Sequence, residues 1–427
     1  MFASLDVDRR TVAERLEPLH YRLHVLALFA RFLRFGLLAW GGPVAQIAML
    51  RKELVDEERW ISGERFNRLL AVYQVLPGPE AHELAVHLGM LRGGRLGGLL
   101  AGLGFMLPGF FLVLVVAALY VSIDLGQPWL AAALLGAQLG VVALVARAVD
   151  RIGRHILVDR WAWGIAIGAA VATFARVPFW IVLPAAGLAY GLAPRLQGAD
   201  VTAGVTRTLL LVGGIGAMVA LVVALWGLPA TALPGGVPSV PAAPIEPTLP
   251  ILFLAGLKAG LLTFGGAYTA IPFVRGDAVG SGWISDAQFL DSLALSGILP
   301  APLIIFGTFV GFLAAGLPGA VAITAGIFLP AFAFSLVLGD RLEAVVARPG
   351  LHRVLEGVAA AVVGIIAVTA LDLVVALAAR VPSLPAAGLL LVAALIVLYR
   401  WSSRVTVPAV MAGAAASGWI LFDLLSR

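Results

Sequence analysis

The chain has 427 residues, of which 61% are hydrophobic and only 12% are charged, with a mean hydropathy of +1.01. Soluble domains are about 45–50% apolar and about 25% charged, so this composition excludes a soluble enzyme, a secreted disulfide scaffold and a disordered protein. The 29 basic residues outnumber the 24 acidic ones, but they lie in short loops between apolar runs, so no nucleic-acid partner is expected. Most of the chain is expected to face lipid or other parts of itself.

Residues 1–22 are polar and charged and lack the apolar core of a signal peptide, so we interpret them as a cytoplasmic N-terminal tail. Long apolar runs follow, each close to the roughly 20 residues that cross a bilayer as a helix. The runs cover 98–121, 128–149, 161–174, 177–191, 207–227, 318–339, 352–373, 383–399 and 406–424. They predict an all-α, multi-pass membrane protein.

Residues 228–249 interrupt this pattern because prolines recur too often for a helix interior. Residues 228–249 also contain no lysine or arginine, which favours the external side of the membrane. We interpret them as an external linker between two halves of the chain. The first half, 23–227, is then one transporter repeat plus an inverting helix, and the second half, 250–427, is the other repeat.

The two halves carry the same motifs in the same order. Trp60-Ile61-Ser62 matches Trp283-Ile284-Ser285, and Leu107-Pro108-Gly109-Phe110 matches Leu329-Pro330-Ala331-Phe332. Ordered matches of this kind indicate an internal duplication. Arginines occupy non-equivalent loops in the two halves, so the positive-inside rule predicts inverted repeats, with 207–227 as the extra span that turns the second copy over.

Each half contains two interruptions rich in glycine and proline. They are Gly41-Gly42-Pro43 and Pro77-Gly78-Pro79 in the first half, and Gly265-Gly266 and Pro300-Ala301-Pro302 in the second. A membrane tolerates a helix break only where the freed backbone groups are buried in protein or line a polar cavity. We therefore expect broken, re-entrant helices that form hairpins, with helices that simply cross the membrane as the alternative.

The helix starts after these breaks are the expected binding site for an anion. Helix N-termini carry partial positive charge and free N–H donors, and inverted repeats would bring several of them together near the midplane. Two equivalent cations, Arg34 and Lys258, are expected to contribute charge. Simple kinks in packed helices, and cations that extend to the membrane surface, are the alternatives. The expected binding residues are Arg34, Gly41, Gly42, Pro43, Gln46, Pro77, Gly78, Pro79, Lys258, Gly265, Gly266, Pro300 and Pro302.

Glu80, Glu83 and His87 follow the second break at spacings that place them on one face of a helix. Carboxylates and an imidazole inside a membrane are candidate proton carriers, and we expect these three to couple transport to protons. A face that lines solvent or meets lipid headgroups is the alternative. We find no nucleophile–base pair, nucleotide motif or metal-ligand pattern, so neither enzyme activity nor a cofactor or metal is expected.

Trp40-Gly41-Gly42-Pro43, Trp60-Ile61-Ser62 and Leu76-Pro77-Gly78-Pro79-Glu80 resemble the chromate ion transporter family. The stretch from Phe264-Gly265-Gly266 to Pro300-Ala301-Pro302 resembles the C-terminal copy of its two-domain members. The resemblance implies a multi-pass protein of a bacterial or archaeal inner membrane. It also implies an antiporter that exports chromate with the proton motive force and confers chromate resistance. Two residues depart from the pattern: Trp40 stands where the family commonly has Phe, and Ala301 stands where the first copy has Gly78.

Chromate and sulfate are tetrahedral dianions of similar size, and backbone N–H donors do not distinguish between them. Export of two negative charges across an inside-negative potential releases about 4–5 kcal/mol per 100 mV, which favours the outward direction. A carrier of sulfate or another oxyanion, and an uncoupled anion channel, remain the alternatives. The expected partners besides the substrate are the lipid bilayer and a second copy of the chain, as a homodimer.

Overall fold

The computed structural model describes residues 26–124, 126–193, 246–264, 266–339, 349–401, 403 and 405–424, and this part of the chain contains helices and no strands. The first half forms α1 (26–37), α2 (Pro43–Leu50, continued by Arg51–Glu57), α3 (Gly63–Val75), α4 (Glu80–Ser122), α5 (Pro128–Ile156), α6 (Arg160–Phe174) and α7 (Phe179–Leu192). The second half forms α8 (Leu249–Leu261), α9 (Ile271–Ala278), α10 (Asp286–Ile298), α11 (Phe306–Ala333, continued by Phe334–Leu338), α12 (Pro349–Ala378), α13 (Leu384–Arg400) and α14 (Thr406–Trp419). The N-terminal tail 1–22, the run 207–227, linker residues 228–245 and Gly265 lie outside the described residues.

Within the described ranges, five helical segments are long and apolar enough to cross a membrane. They are Glu80–Ser122, Pro128–Ile156, Leu303–Leu338, Gly350–Ala378 and Thr406–Asp423. Large apolar side chains such as Phe111, Ile167 and Leu389 lie exposed on the outer faces of the helices, as a lipid-facing surface requires. The predicted all-α, multi-pass membrane fold is confirmed.

The first break of each half is the tip of a re-entrant hairpin. Arg31 of α1 contacts Glu58, and Arg34 lies 3.3 Å from Glu53. The later residue of α1 therefore contacts the earlier residue of the helix that follows the break. Two helices with this pattern are antiparallel. The contact of Lys258 with Asp277 is the equivalent pair in the second half. The hairpin prediction is therefore confirmed here, and the helix that simply crosses the membrane is excluded.

The hairpin opens at the surface, where Arg31 donates hydrogen bonds to the carboxylate of Glu58. These hydrogen bonds hold the pKa of the Glu58 carboxyl below its usual range.

The second break also joins two helices that turn back on each other. The hydroxyl of Tyr73 in α3 lies 2.9 Å from Nδ1 of His87 in α4. In one straight helix these residues would lie about 20 Å apart along the axis, so the chain must reverse between them. The repeated Trp-Ile-Ser motif starts the entering helix: Ser62 accepts a hydrogen bond from the Arg65 amide, and Ser285 forms a capping box with Gln288.

Helix α4 contains a sharp reversal that the sequence did not predict. Gly94 adopts a φ of 60°, and Val86 packs against Gly98 and Gly102 on the far side of the turn. The short arm 80–92 therefore lies antiparallel to the long arm 95–122. Helix α11 repeats this reversal at Gly316, which has a φ of 63°. Each short arm brings the residues after the second break back into the protein interior.

The two halves are inverted repeats. Gly98 of α4 lies against Leu336, and Gly102 lies against Phe332, so the equivalent long arms of α4 and α11 contact each other in opposite directions. Helices α5 and α12 show the same relation, because Gly153 packs near Val363 while Gln138 binds Arg380. Equivalent helices that run antiparallel require a two-fold relation about an axis that crosses them, and this axis lies in the membrane plane.

Candidate functional site

The tips of the hairpins meet across the boundary between the two halves. The amide of Gly78 donates a hydrogen bond to the carbonyl of Thr263, at 2.8 Å. The side-chain amide of Gln46 donates to the carbonyls of Ala39, at 3.0 Å, and Ala301, at 3.2 Å. The first break of each half thus contacts the second break of the other half. The expected convergence of the breaks is present in the structure.

The glycines of the first breaks are required by the backbone. Gly41 and Gly42 have φ values of 86° and 81°, and Gly266 has a φ of 125°. Side chains other than hydrogen strongly disfavour these conformations. Pro43 is then the first residue of α2, as the sequence predicted.

The second break of the first half is not open to an anion in this conformation. The amide of Gly78 is already used by Thr263, and the carboxyl group of Glu83 fills the space beside it. A Cβ atom on Gly78 would lie 2.6 Å from Oε1 of Glu83. In the second half, Pro302 precedes the short helix Leu303–Ile305, and Ala301 packs against Gly109.

A cavity of about 680 Å³ lies between α2, α3 and the C-terminal end of α5. We call it the arginine cavity, because Arg51, Arg147, Arg151 and Arg154 line it, together with Glu80 at the second break. A neighbouring cavity of about 290 Å³ shares Arg147 and Arg151 and is also lined by Gly41. The arginines therefore surround a polar space that reaches both breaks of the first half.

The arginines of this cavity differ in how far they are neutralised. Arg154 lies 2.9 Å from Asp150, which also accepts a hydrogen bond from the hydroxyl of Tyr399 at 2.8 Å. Arg147 lies over the ring of Tyr399 and retains its charge there. Arg151 is exposed to the cavity. The cavity therefore presents net positive charge to a solute.

Glu80 is an acidic group in this basic surrounding, besides the Asp150 that pairs with Arg154. The Glu80 side chain is only 5% exposed, and Oε2 has no hydrogen-bond partner among the described residues. Oε1 lies 4.0 Å from the position that a Cβ atom would take on Gly266 of the other half. An ionised carboxylate buried without full hydrogen bonding is costly, and a proton or a nearby cation relieves that cost.

Glu83 and His87 lie deeper on the short arm of α4 and are fully enclosed by protein. The hydroxyl of Tyr73 bridges Nδ1 of His87, at 2.9 Å, and the hydroxyl of Ser335, at 3.0 Å. Ser335 in turn lies 3.3 Å from the carbonyl of Glu83. This arrangement excludes the alternative of a face that meets lipid headgroups.

The two predicted cations do not converge with these groups. Arg34 is 60% exposed and pairs with Glu53, and Lys258 contacts Asp277 and lies over the ring of Phe179. Lys258 lines a different cavity from Glu80. Both cations tie the two arms of a hairpin together near its open end. Pairing with a carboxylate across the hairpin is therefore enough to explain why both halves carry a cation at this position, without a bound anion.

A further buried polar cluster joins the two halves. Asp291 of α10 accepts hydrogen bonds from the hydroxyl of Tyr120, at 2.8 Å, and from the side-chain amide of Gln138, at 2.6 Å. The carbonyl oxygen of Gln138 accepts a hydrogen bond from Arg380, at 3.0 Å. Gln138 thus links a buried carboxylate to a guanidinium group near the protein surface.

The comparison with known proteins agrees with the motifs. The sequence profile of the chromate transporter family matches residues 26–192 and 251–419. A chromate transport protein of Pseudomonas aeruginosa is 58% identical over 395 residues, which cover 92% of this chain and 92% of that protein. The chain belongs to the chromate transporter family.

More distant relatives also match most of the transporter. A chromate transport protein of Cupriavidus metallidurans is 30% identical over 412 residues, or 95% of this chain and 94% of that protein. A probable chromate transport protein of Synechococcus elongatus is 28% identical over 370 residues, or 83% and 86%. No solved structure matches this transporter. The family profile matches once in each half of the chain.

Sequence reasoning missed the most basic part of the transporter's site. Arg147, Arg151 and Arg154 are among the arginines that sequence reasoning used only for membrane orientation, yet their spacing places them on one face at the end of α5. Asp291 was not identified from the sequence as a buried group. The arginine spacing was a usable signal, whereas the partners of Asp291 come from distant parts of the chain.

We expect replacement of Gly42 by Ala to impair the transporter through its backbone. A Cβ atom on Gly42 would meet no atom within 4 Å, so any effect of the substitution comes from the backbone φ of 81° and not from a steric clash. With a ψ of −175°, Gly42 lies in a backbone region that is used almost only by glycine, and holding another residue there costs about 1–3 kcal/mol. A lower unfolding temperature of the purified protein and slower transport are the expected results. Gly63→Ala is the matched control, because Gly63 opens α3 without a positive φ. Equal behaviour of the two variants would contradict a required break at Gly42.

Proposed function

We propose that the chain exports chromate from the cytoplasm across the inner membrane and thereby confers chromate resistance. The arginine cavity is the observation that supports this proposal, because it is lined by Glu80 at the second break and shares Arg147 and Arg151 with the neighbouring cavity, which Gly41 of the first break lines. Both cavities lie at the end of α5 that carries the arginines. The positive-inside rule assigns that end to the cytoplasm. The names of the relatives, chromate transport proteins, support chromate as the substrate.

Recognition of the dianion rests on the guanidinium groups. Arginine presents several N–H donors in a planar fork, and hydrogen bonds to a charged oxygen are about twice as strong as neutral ones. Arg147 and Arg151 lie one helical turn apart and line both neighbouring cavities. Each is proposed to bind one oxygen of the same tetrahedral oxyanion. In this proposal the guanidinium groups bind the ion, and the breaks of the first half lie beside it. The helix starts after the breaks therefore do not form the whole binding site.

The membrane potential is the proposed driving force, and Glu80 is the proposed link to protons. A dianion held beside Arg151 repels an ionised Glu80, so oxyanion binding and protonation of Glu80 favour each other. Because binding and protonation favour each other, a proton is expected to move together with the dianion. Antiport would instead require the two to move in opposite directions. Export of the pair still moves one net negative charge outward and releases about 2.3 kcal/mol per 100 mV.

Inverted membrane vesicles test the function, because their outer surface is the cytoplasmic face. We expect labelled chromate to accumulate inside them when a potassium gradient with valinomycin makes the lumen positive. Preloaded unlabelled chromate should accelerate entry of the label, since a carrier exchanges substrate while a channel does not. Vesicles without the protein are the control. Absence of chromate uptake above that control would contradict the proposal, and unlabelled sulfate as a competitor measures the selectivity.

Replacement of Arg147 by Gln is expected to raise the half-saturating chromate concentration at the cytoplasmic face. Loss of one hydrogen bond to a charged group costs about 1.5–3 kcal/mol, which corresponds to about 10–100-fold in affinity. Arg147→Lys should recover part of the loss because the charge remains without the fork. Arg160→Gln, at the start of α6 and outside the cavity, is the control. An unchanged half-saturation in Arg147→Gln would remove this residue from the binding site.

A further inference from the structure

A second large cavity, of about 600 Å³, lies at the other end of the protein. We call it the paired-charge cavity; Lys258, Arg275, Asp277 and Asp372 are among its lining residues. Its walls include residues 173–179 at the junction of α6 and α7, the C-terminal part of α12 and helix α9. Helices α12 and α9 are the equivalents of α5 and α2 around the arginine cavity. Since α5 and α12 run antiparallel, the two cavities open on opposite faces of the membrane.

The register between α5 and α12 is fixed by several matches. Pro128 and Pro349 begin the two helices, and Val141-Val142 matches Val362-Val363. Gly136 lies against Gly418 of α14, and Gly357 lies against Gly187 of α7. Gly136 and Gly357 thus each pack closely on a neighbouring helix, and these two neighbours, α14 and α7, are themselves equivalent.

This register pairs Arg147 with Val368 and Arg151 with Asp372. Both members of each pair line their own cavity. At the opposite face, the position of Arg147 is thus occupied by the apolar Val368, and the position of Arg151 is occupied by the acidic Asp372. The charge at the second position is reversed.

Two of the three cations that line the paired-charge cavity are held by carboxylates, and the third, Arg176 in the connection between α6 and α7, is exposed. Lys258 contacts Asp277, and Arg275 lies 2.8 Å from Asp286 and 3.8 Å from Asp372. A cation that already holds a carboxylate offers less to a second anion, because binding must first displace or repel the acid. Equivalent helices therefore surround a more basic cavity at one face and a less basic one at the other.

We infer that the paired-charge cavity is a low-affinity release site for the tetrahedral oxyanion, and that Asp372 sets its low affinity. The inference rests on the proposed function, since it assigns the same substrate to the pseudo-symmetric cavity. The side-dependent affinity does not alter the distribution at equilibrium, which the membrane potential and the gradients determine. It alters the concentrations at which each face saturates, so that the carrier loads at low cytoplasmic oxyanion and releases readily outside.

The test compares half-saturating chromate in exchange experiments with inverted vesicles and with right-side-out vesicles. For the unmodified protein we expect a value about tenfold or more lower at the cytoplasmic face. Asp372→Asn should lower the value at the external face about tenfold and leave the cytoplasmic value unchanged. Asp372→Glu retains the charge and is the matched control.

Val368→Arg is the second variant, because it places an arginine at the position equivalent to Arg147 and leaves Asp372 intact. It should also lower the external half-saturation. Equal half-saturation at both faces of the unmodified protein, or equal shifts at both faces in Asp372→Asn and Val368→Arg, would overturn the inference while leaving chromate transport in place. Absence of any chromate exchange in the unmodified protein would instead overturn the proposed function.

Discussion

Replacement of Glu80 by Gln is expected to make chromate flux independent of pH at the cytoplasmic face. Gln resembles the protonated carboxyl in shape and charge, so the variant should remain in the state that favours the bound dianion. A step that needs one protonated carboxyl slows by up to about tenfold per pH unit once that carboxyl is mostly ionised. The unmodified protein should show this decline in inverted vesicles as the outer buffer becomes alkaline, and Glu80→Gln should not.

The protonation of chromate in solution also depends on pH, but it is the same for both proteins. A difference in the pH dependence of their flux is therefore due to the Glu80 side chain. Glu64→Gln is the control, because Glu64 is an exposed carboxylate in the first turn of α3. A pH dependence that persists in Glu80→Gln would remove Glu80 from the proton path. Acceleration of the unmodified protein by acid in the vesicle lumen would instead support proton exchange, the antiport that the resemblance implied.

Replacement of Gln138 by Leu is expected to destabilise the protein strongly. The change removes the hydrogen bond from Gln138 to the buried carboxylate of Asp291, leaves the one from Tyr120, and separates that carboxylate from Arg380. Loss of a hydrogen bond to a buried charge costs about 1.5–3 kcal/mol. We expect a clearly lower unfolding temperature in detergent for Gln138→Leu, and a smaller decrease for Tyr120→Phe, which leaves the link to Arg380 intact.

A double-mutant comparison shows whether the charge of Asp291 causes the loss. If it does, Asp291→Asn should restore part of the stability of Gln138→Leu, because the uncompensated charge is gone. Gln127→Leu is the control, since Gln127 bonds only the exposed Asp124 at 3.3 Å. Additive effects of Gln138→Leu and Asp291→Asn would show that the two residues do not act as one network.

The duplicated motifs predicted much of the fold because they mark local backbone events. Ser62 and Ser285 cap equivalent helices, and Gly42 and Gly266 stand where φ is positive, so these requirements are visible in the sequence itself. The reversal at Gly94 was not visible, because the helical pattern continues on both sides of it and one glycine pair does not distinguish a turn from a packing contact.

The candidate site was predicted less completely, because it depends on which side chains meet. Arg34 and Lys258 were expected beside an anion, yet each finds a carboxylate, Glu53 and Asp277, one hairpin arm away. Arg147 was overlooked because an arginine at the end of an apolar helix is the usual sign of a cytoplasmic loop. Only the packing of α2, α3 and α5 shows that the space between them is lined by charge.

The reciprocal contacts between the breaks also constrain how the protein can move. The Gly78–Thr263 hydrogen bond and the contact of Gln46 with Ala301 both cross from one half to the other at the hairpin tips. A motion that keeps both hydrogen bonds pivots near these tips, so displacements stay small there and grow toward the open ends of the hairpins. With such a pivot beside the proposed binding site, one cavity can widen while the other narrows and the bound ion moves only a short way.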